Sequence, residues 1–266
     1  MAPIAWKIAG ASVAGFAHQA DGTPCQDAHA VAALPGGYLV AVVSDGAGSA
    51  ARSMEGSRQL CETVIAHLSS RLGDIESTDE HFNEAMAKQW IEEAIELVRC
   101  QFEQLAKSVG QSIYDFHATL VGAVAGPAGG VFFHVGDGAG CATRSADFST
   151  GVVSHPENGE YANETYFVTQ DEWREHLRTL AFGPEYDLIA VMSDGVTPFA
   201  LARGASGPSI AVFEPLSQFL TTHSREEGER ALVALLERDA LRRVTGDDKT
   251  MLWALRVEAD GALLHR

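Results

Sequence analysis

The chain reads as an α+β protein in which helices cover antiparallel sheets, and three observations carry that expectation. Short runs rich in Val, Ala, Ile and aromatic residues recur along its length with Gly or Pro between them. Two long amphipathic stripes stand side by side in the first half instead of alternating with the strands. The resulting order is strands, two helices, strands, then one helix and a last strand, which is not the regular alternation of a doubly wound parallel sheet.

The strand-like runs are Ala5–Val13, His29–Leu34, Tyr38–Val43, Ala118–Ala125, Gly130–Val135, Leu188–Met192 and Thr250–Val257. Pro35-Gly36-Gly37 between the second and third is a hairpin signal, so those neighbours are expected to be antiparallel. The first helical stripe uses Met54, Leu60, Val64, Ile65, Leu68 and Leu72, with Gly73 as its stop. The second uses Phe82, Met86, Ile91, Ile95, Val98, Phe102 and Leu105, with Thr78 or Asp79 as N-cap and Gly110 as terminator. A third helix is expected from about Glu226 to Arg243, carried by Leu232, Leu235, Leu236 and Leu241. The stretch 143–186, with Gly151, Pro156, Asn158, Gly159 and Pro184, is too long for a simple loop and reads as a flap-like surface excursion from one domain spanning 1–266.

Composition narrows the function. The 266 residues are 46% hydrophobic and 21% charged, which suits a globular chain with its own core and excludes disordered or collagen-like classes. A net charge of −17 argues against nucleic acid or an anionic membrane as partner, and it repels phosphate, so phosphate chemistry here requires metal ions to supply positive charge. Cys25, Cys61, Cys100 and Cys141 show no C-x-x-C spacing, the N-terminal residues lack a leader pattern, and no apolar run is long enough to span a membrane, so a cytoplasmic chain is expected. The signatures of P-loop nucleotide hydrolases, α/β-hydrolases and zinc peptidases are absent. Gly136-Asp137-Gly138-Ala139-Gly140 does not have the glycine spacing of a dinucleotide loop.

What recurs is an aspartate at a strand end followed by glycine. Ser44-Asp45-Gly46, Gly136-Asp137-Gly138 and Ser193-Asp194-Gly195 share it, and Gly246-Asp247-Asp248 sets two carboxylates just before the last strand. One Asp-Gly is ordinarily a turn. Several at the same end of apolar strands are what a hard divalent cation needs, with glycine allowing close backbone approach.

These segments, with Cys25-Gln26-Asp27-Ala28, His117-Ala118-Thr119-Leu120 and Gly246-Asp247-Asp248-Lys249-Thr250, resemble the ordered motifs of the metal-dependent type 2C serine/threonine protein phosphatases over residues 9 to 257. The resemblance implies an α-β-β-α sandwich of two antiparallel sheets flanked by helices, with a metal site at one edge. It implies that Asp45 bridges two Mn²⁺ or Mg²⁺ ions, that the Gly46 carbonyl binds the second, that Asp194 and Asp247 complete the first, and that Asp137 serves a third, looser ion. Asp27 and Asp248 would lie just outside these ligands or hold water on the ions, Asp27 taking part in catalysis. The reaction implied is attack of a metal-bridging hydroxide on phosphoserine or phosphothreonine in proteins, opposing a serine/threonine kinase. The alternatives are a catalytically weak phosphoprotein-binding module and a small-molecule phosphomonoesterase.

The chain departs from the pattern in three places, as a divergent bacterial-type branch would. The arginine that grips phosphate five residues before the first motif aspartate is Gly22, and the nearest replacement is His18, assigned here to substrate binding and catalysis. The glutamate usual before that aspartate is Gln26, and the histidine that some members carry after Asp-Gly is Ala47. Arg52 and Arg58 on the first long helix are read as solvated, Cys25 as a small packed residue, and Trp90 and Trp173 as packing.

Overall fold

The computed structural model describes residues 4–75, 82–148, 150–156, 165–202 and 207–258. Among these residues the strands are β1 (Ile4–Val13), β2 (Ala28–Ala33), β3 (Leu39–Ser44), β4 (Leu120–Gly126), β5 (Gly129–Val135), β6 (Ala139–Thr143), β7 (Gly151–Ser154), β8 (Arg178–Phe182), β9 (Leu188–Met192) and β10 (Lys249–Glu258). The helices are α1 (Phe16–Asp21), α2 (Ser53–Ile75), α3 (Glu84–Val109), α4 (Trp173–His176), α5 (Thr197–Ala200), α6 (Ile210–Thr222) and α7 (Arg225–Leu236).

The strands form two five-stranded sheets, ordered β1-β10-β9-β6-β7 and β2-β3-β4-β5-β8, with every pairing antiparallel. Three apolar layers hold them. Ile8, Leu39, Val43, Phe132, Ile189 and Leu252 fill the space between the sheets. Val40 and Val42 on the other face of β3 pack with Leu60, Val64, Ile91 and Val98 of α2 and α3. Met251, Trp253 and Leu255 of β10 pack with Phe213, Leu220 and Leu232 of α6 and α7. Alternate residues of one strand therefore enter different apolar layers, which is why β3 and β10 read as continuous apolar runs. This is the α-β-β-α sandwich that the motifs imply.

Several boundaries differ from the sequence expectation. Gly73 does not stop α2, which runs on to bury Ile75. The first turn of α3 is capped by Asn83, whose side chain accepts the Met86 N–H at 3.1 Å, so the described cap is neither Thr78 nor Asp79, both of which lie outside the described residues. Gly110 ends α3 in the left-handed region, as expected. α7 begins with a Ser224–Glu227 capping box and stops at Leu236, because residues 237–240 are exposed and the buried stripe is finished; only a 3₁₀ turn, Leu241–Arg243, follows. α6 was not anticipated, since Pro215 sits inside it, yet Phe213, Leu216 and Leu220 are buried on its inner face.

The stretch 143–186, read as a surface excursion, supplies β7 to the edge of one sheet and β8 to the edge of the other. Trp173 between them is buried in the α2–α3 layer, where Trp90 also packs. All four cysteines are free thiols, and no described helix is long and apolar enough to cross a membrane.

Candidate metal centre

The sheet registers bring the Asp-Gly segments to one rim. β3 ends at Ser44 and β9 at Met192, β10 begins at Lys249, and Asp137 lies in the turn from β5 to β6, whose first residue Ala139 pairs with Met192. Thr119 pins the Asp45 turn: its N–H donates to the Asp45 carbonyl at 2.8 Å, its Oγ1 accepts the Asp45 N–H at 3.1 Å, and its carbonyl accepts the Ser44 hydroxyl at 2.6 Å. Two glycines following aspartates are required by close approach. A Cβ on Gly46 would lie 2.6 Å from the Ser53 carbonyl oxygen and 2.7 Å from that of Gln26, and one on Gly195 would lie 1.9 Å from that of Asp248.

Asp45, Asp137 and Asp194 each present a carboxylate oxygen, and these three atoms lie within 4.8 Å of one another. Burial and the charges of Asp27, Asp194, Asp247 and Asp137 push the Asp45 carboxyl well above the ordinary carboxylate range. Burial and the charges of Asp137 and Asp247 push Asp194 up to about 6. Burial raises Asp137 as well. Asp27, behind this group, is pushed up to about 7, chiefly by burial, although Ser193 donates to its Oδ2 at 2.8 Å.

One oxygen each of Asp27, Asp137 and Asp194 is buried without a hydrogen-bond partner. Clustered, unpaired carboxylates of this kind carry a large desolvation and repulsion cost that a divalent cation removes. The donors are all hard oxygens, with no sulfur or imidazole in the group, which suits Mg²⁺ or Mn²⁺. The residues present therefore fit the ions that the motifs imply.

Asp247 is exposed and lies outside the close trio, but it lines the same cleft, and its charge acts on Asp45, Asp137 and Asp194. Lys249 Nζ donates to its carbonyl at 3.0 Å, steadying the turn. Asp248 is only 2% exposed, and its carboxylate is engaged by the protein. Its Oδ1 accepts the Gly15 N–H at 2.6 Å and lies 2.9 Å from His18 Nδ1, while its Oδ2 accepts the Gln26 N–H at 2.6 Å. Asp248 thus ties residues 15–18 and Gln26 to the start of β10.

The cleft above the acidic group has a volume of about 480 Å³. His18, Gln26, Gly46 and Ala47 line it together with Asp45, Asp137, Asp247 and Asp248. His18 projects from α1, whose C-cap is Gly22 at φ +72°, a conformation in which arginine would be strained. Gln26 has its Oε1 buried without a partner. No arginine or lysine among the described residues lines the cleft. Arg52 is committed elsewhere, donating to Glu55 and Gln111 and lying over the Phe116 ring, and Arg58 is exposed on α2. Cys25 is partly buried, and burial with the charge of Asp27 raises its thiol, as suits a packed residue. Thr119 and Phe167 also line the cleft. Thr119 was visible only as part of a motif, and Phe167 carried no signal.

Two packed antiparallel sheets between helical layers, with strand-end aspartates gathered on one rim, define the class of metal-dependent phosphatases. The family model for protein phosphatase 2C matches residues 14–237, and the chain belongs to that family. It is 26% identical over 262 residues to serine/threonine-protein phosphatase 3 of Escherichia coli (strain K12), covering 96% of this chain and 100% of that protein. Its fold is similar to that of the serine/threonine phosphatase Stp1 from Staphylococcus aureus, with a TM-score of 0.59 and 15% identity over 96% of this chain and 95% of that one. It is also similar to the catalytic domain of the serine threonine protein phosphatase PstP, in complex with 2 manganese ions, with a TM-score of 0.61 and 16% identity over 96% and 99% of the two chains.

Proposed function

We propose that this chain removes phosphate from phosphoserine and phosphothreonine in proteins, with the cleft above Asp45, Asp137 and Asp194 as its active site. The observation that carries the reading is the convergence of these three half-buried carboxylates, two of them with a buried oxygen that has no hydrogen-bond partner, on one rim of the sandwich. Asp45, the Gly46 carbonyl, Asp194 and Asp247 would hold two Mn²⁺ or Mg²⁺ ions, and Asp137 would hold a third. Bound there, the ions supply the positive charge that the cleft lacks and the Lewis acidity that activates water toward a phosphomonoester.

The remaining polar groups orient. Ser193 fixes one oxygen of Asp27 and leaves the other to accept a proton or a water hydrogen. Asp248 Oδ1 lies 2.9 Å from His18 Nδ1 and holds the ring at the wall of the cleft, where it would meet a phosphate oxygen or the leaving alkoxide. His18 would then serve at the place left by Gly22 and Ala47. A phosphoprotein made by an opposing serine/threonine kinase is the expected partner, and the cytoplasm the expected compartment. The acidic surface disfavours nucleic acid and membranes.

The experiment is an assay of purified protein on a phosphothreonine peptide and on an aryl phosphate, with Mn²⁺, with Mg²⁺ and with chelator. Peptide turnover that requires metal supports the reading. Turnover of the aryl phosphate alone, or full activity under chelation, would overturn it.

A further inference from the structure

We propose that the rings of Phe167, His117 and Tyr114 form a ledge that receives an aromatic or large apolar side chain beside the phosphorylated residue of a peptide substrate. The inference rests on the phosphatase reading above and specifies which phosphopeptides it favours. Among the described residues that line the cleft, Phe167 is the one phenylalanine, tyrosine or tryptophan. Its ring stacks on His117 with centroids 4.7 Å apart and planes 14° apart. His117 in turn lies 5.3 Å from the Tyr114 ring, and Tyr114 is 49% exposed. The three rings therefore lead without a break from the wall of the cleft to the surface.

The ledge is held in place before any ligand arrives. Val168 N–H donates to the Ala118 carbonyl at 3.1 Å, and Arg99 Nη1 donates to the carbonyls of Val168 and Gln170, both at 2.8 Å. Phe167 N–H donates to Gln170 Oε1 at 2.9 Å. His117 Nδ1 is hydrogen-bonded to the hydroxyl of Thr169, a fully buried residue, and the His117 carbonyl accepts the Ala47 N–H at 3.0 Å. That last bond couples the ledge to the turn that follows Asp45. Rings fixed in this way bind with little loss of side-chain entropy.

The occupant follows from chemistry. With no arginine or lysine among the described residues that line the cleft, acidic residues beside the phosphate find no side-chain guanidinium or ammonium partner there. Burial lowers the basicity of His117, against the opposing charge of Asp115, which disfavours a charged ring in the middle of the ledge. A contiguous series of rings leading out of the cleft, stacked at Phe167 and His117 and tilted at Tyr114, gains most from contact with an aromatic or large aliphatic side chain.

The test is steady-state kinetics with Mn²⁺ on two phosphothreonine peptides that differ only in the residues flanking the phosphothreonine, phenylalanine in one and alanine in the other. The intact chain should prefer the phenylalanine-flanked peptide by about three- to tenfold in kcat/KM, mainly through KM. Tyr114→Ala and Phe167→Ala should each bring that ratio toward one, and Tyr114→Phe should retain it. Equal rates on the two peptides with the intact chain, or a preference that survives both alanine variants, would overturn the ledge while leaving the phosphatase reading in place. Hydrolysis of neither peptide would overturn that reading as well.

Discussion

The buried Asp248 and the half-buried trio Asp45, Asp137 and Asp194 lie at one rim of the sandwich, and they are held in opposite ways. Asp248 accepts from two backbone N–H groups and from His18, so its charge is balanced inside the protein. Asp45, Asp137 and Asp194 crowd together, two of them have an unpartnered buried oxygen, and all three are pushed toward protonation. A carboxylate satisfied by its own chain is an architectural clamp, whereas a cluster left unsatisfied is complete only when a cation enters. The contrast separates aspartates that shape the cleft from those expected to act in it.

The largest expected effect comes from breaking the unsatisfied set. Asp45→Asn and Asp194→Asn should each lower turnover by about 10²-fold or more, since on the proposed assignment each removes a ligand charge that the others cannot replace. Asp137→Asn should cost less at saturating Mn²⁺. Asp248→Asn should act differently: it leaves the cluster intact but weakens the junction of residues 15, 18 and 26, so the thermal midpoint should fall in proportion to the lost activity. Kinetics and melting curves measured on the same preparations check this, and wild-type turnover in Asp194→Asn would remove the distinction.

Adding metal should reveal the same contrast as stability. A ligand that binds only the folded chain contributes about 2.7 kcal/mol at a hundredfold excess over Kd. For a chain of this size that is a rise of about 5 to 10 °C in melting midpoint on adding Mn²⁺. The rise should disappear in Asp45→Asn and persist in Asp248→Asn. An unchanged midpoint in the intact chain would mean that the aspartates are turn residues gathered by chance.

In the ion-free chain the cluster should also set a pH dependence. Asp27 and Asp194 are raised to about 7 and about 6 when folded, against about 3.9 in an unfolded chain. The folded state then binds more protons than the unfolded one between these values. Their stabilising contribution is complete below about pH 4 and is lost as pH rises through about 6 and 7. Under chelation the midpoint should therefore be higher near pH 5 than near pH 8. Asp27→Asn should flatten that slope, which the general net charge would not explain, and saturating Mn²⁺ should abolish it.

The unsatisfied set was also the more legible one in the sequence. An apolar run closing on Ser-Asp-Gly places a carboxylate at a strand end, and two such copies suffice to suggest a rim. The stripes of α2 and α3 were legible for the same reason, being long and periodic. The clamp was not, because Asp248 bonds backbone N–H groups of Gly15 and Gln26, 233 and 222 residues away, and no residue type announces a backbone donor. β6, β7 and β8 were missed because they are four or five residues long and built partly of small or half-exposed side chains. α6 was hidden by Pro215, whose cost is offset by the burial of Phe213, Leu216 and Leu220.

The smallest expected effect belongs to His18, which stands at the meeting of the two sets. Its Nδ1 rests on the clamp and its ring lines the cleft, so two roles can be told apart by what moves when it is replaced. As a phosphate contact it contributes one charge-assisted hydrogen bond, and His18→Ala should raise KM for a phosphothreonine peptide by about five- to tenfold. Mn²⁺ affinity should stay near that of the intact chain, because the backbone N–H groups of Gly15 and Gln26 still hold Asp248 in place. As a mere prop for Asp248 it would instead lower the melting midpoint and loosen metal binding with KM unchanged. Measuring all three quantities on His18→Ala decides between them, and the second outcome would assign His18 to the clamp and remove it as a phosphate contact.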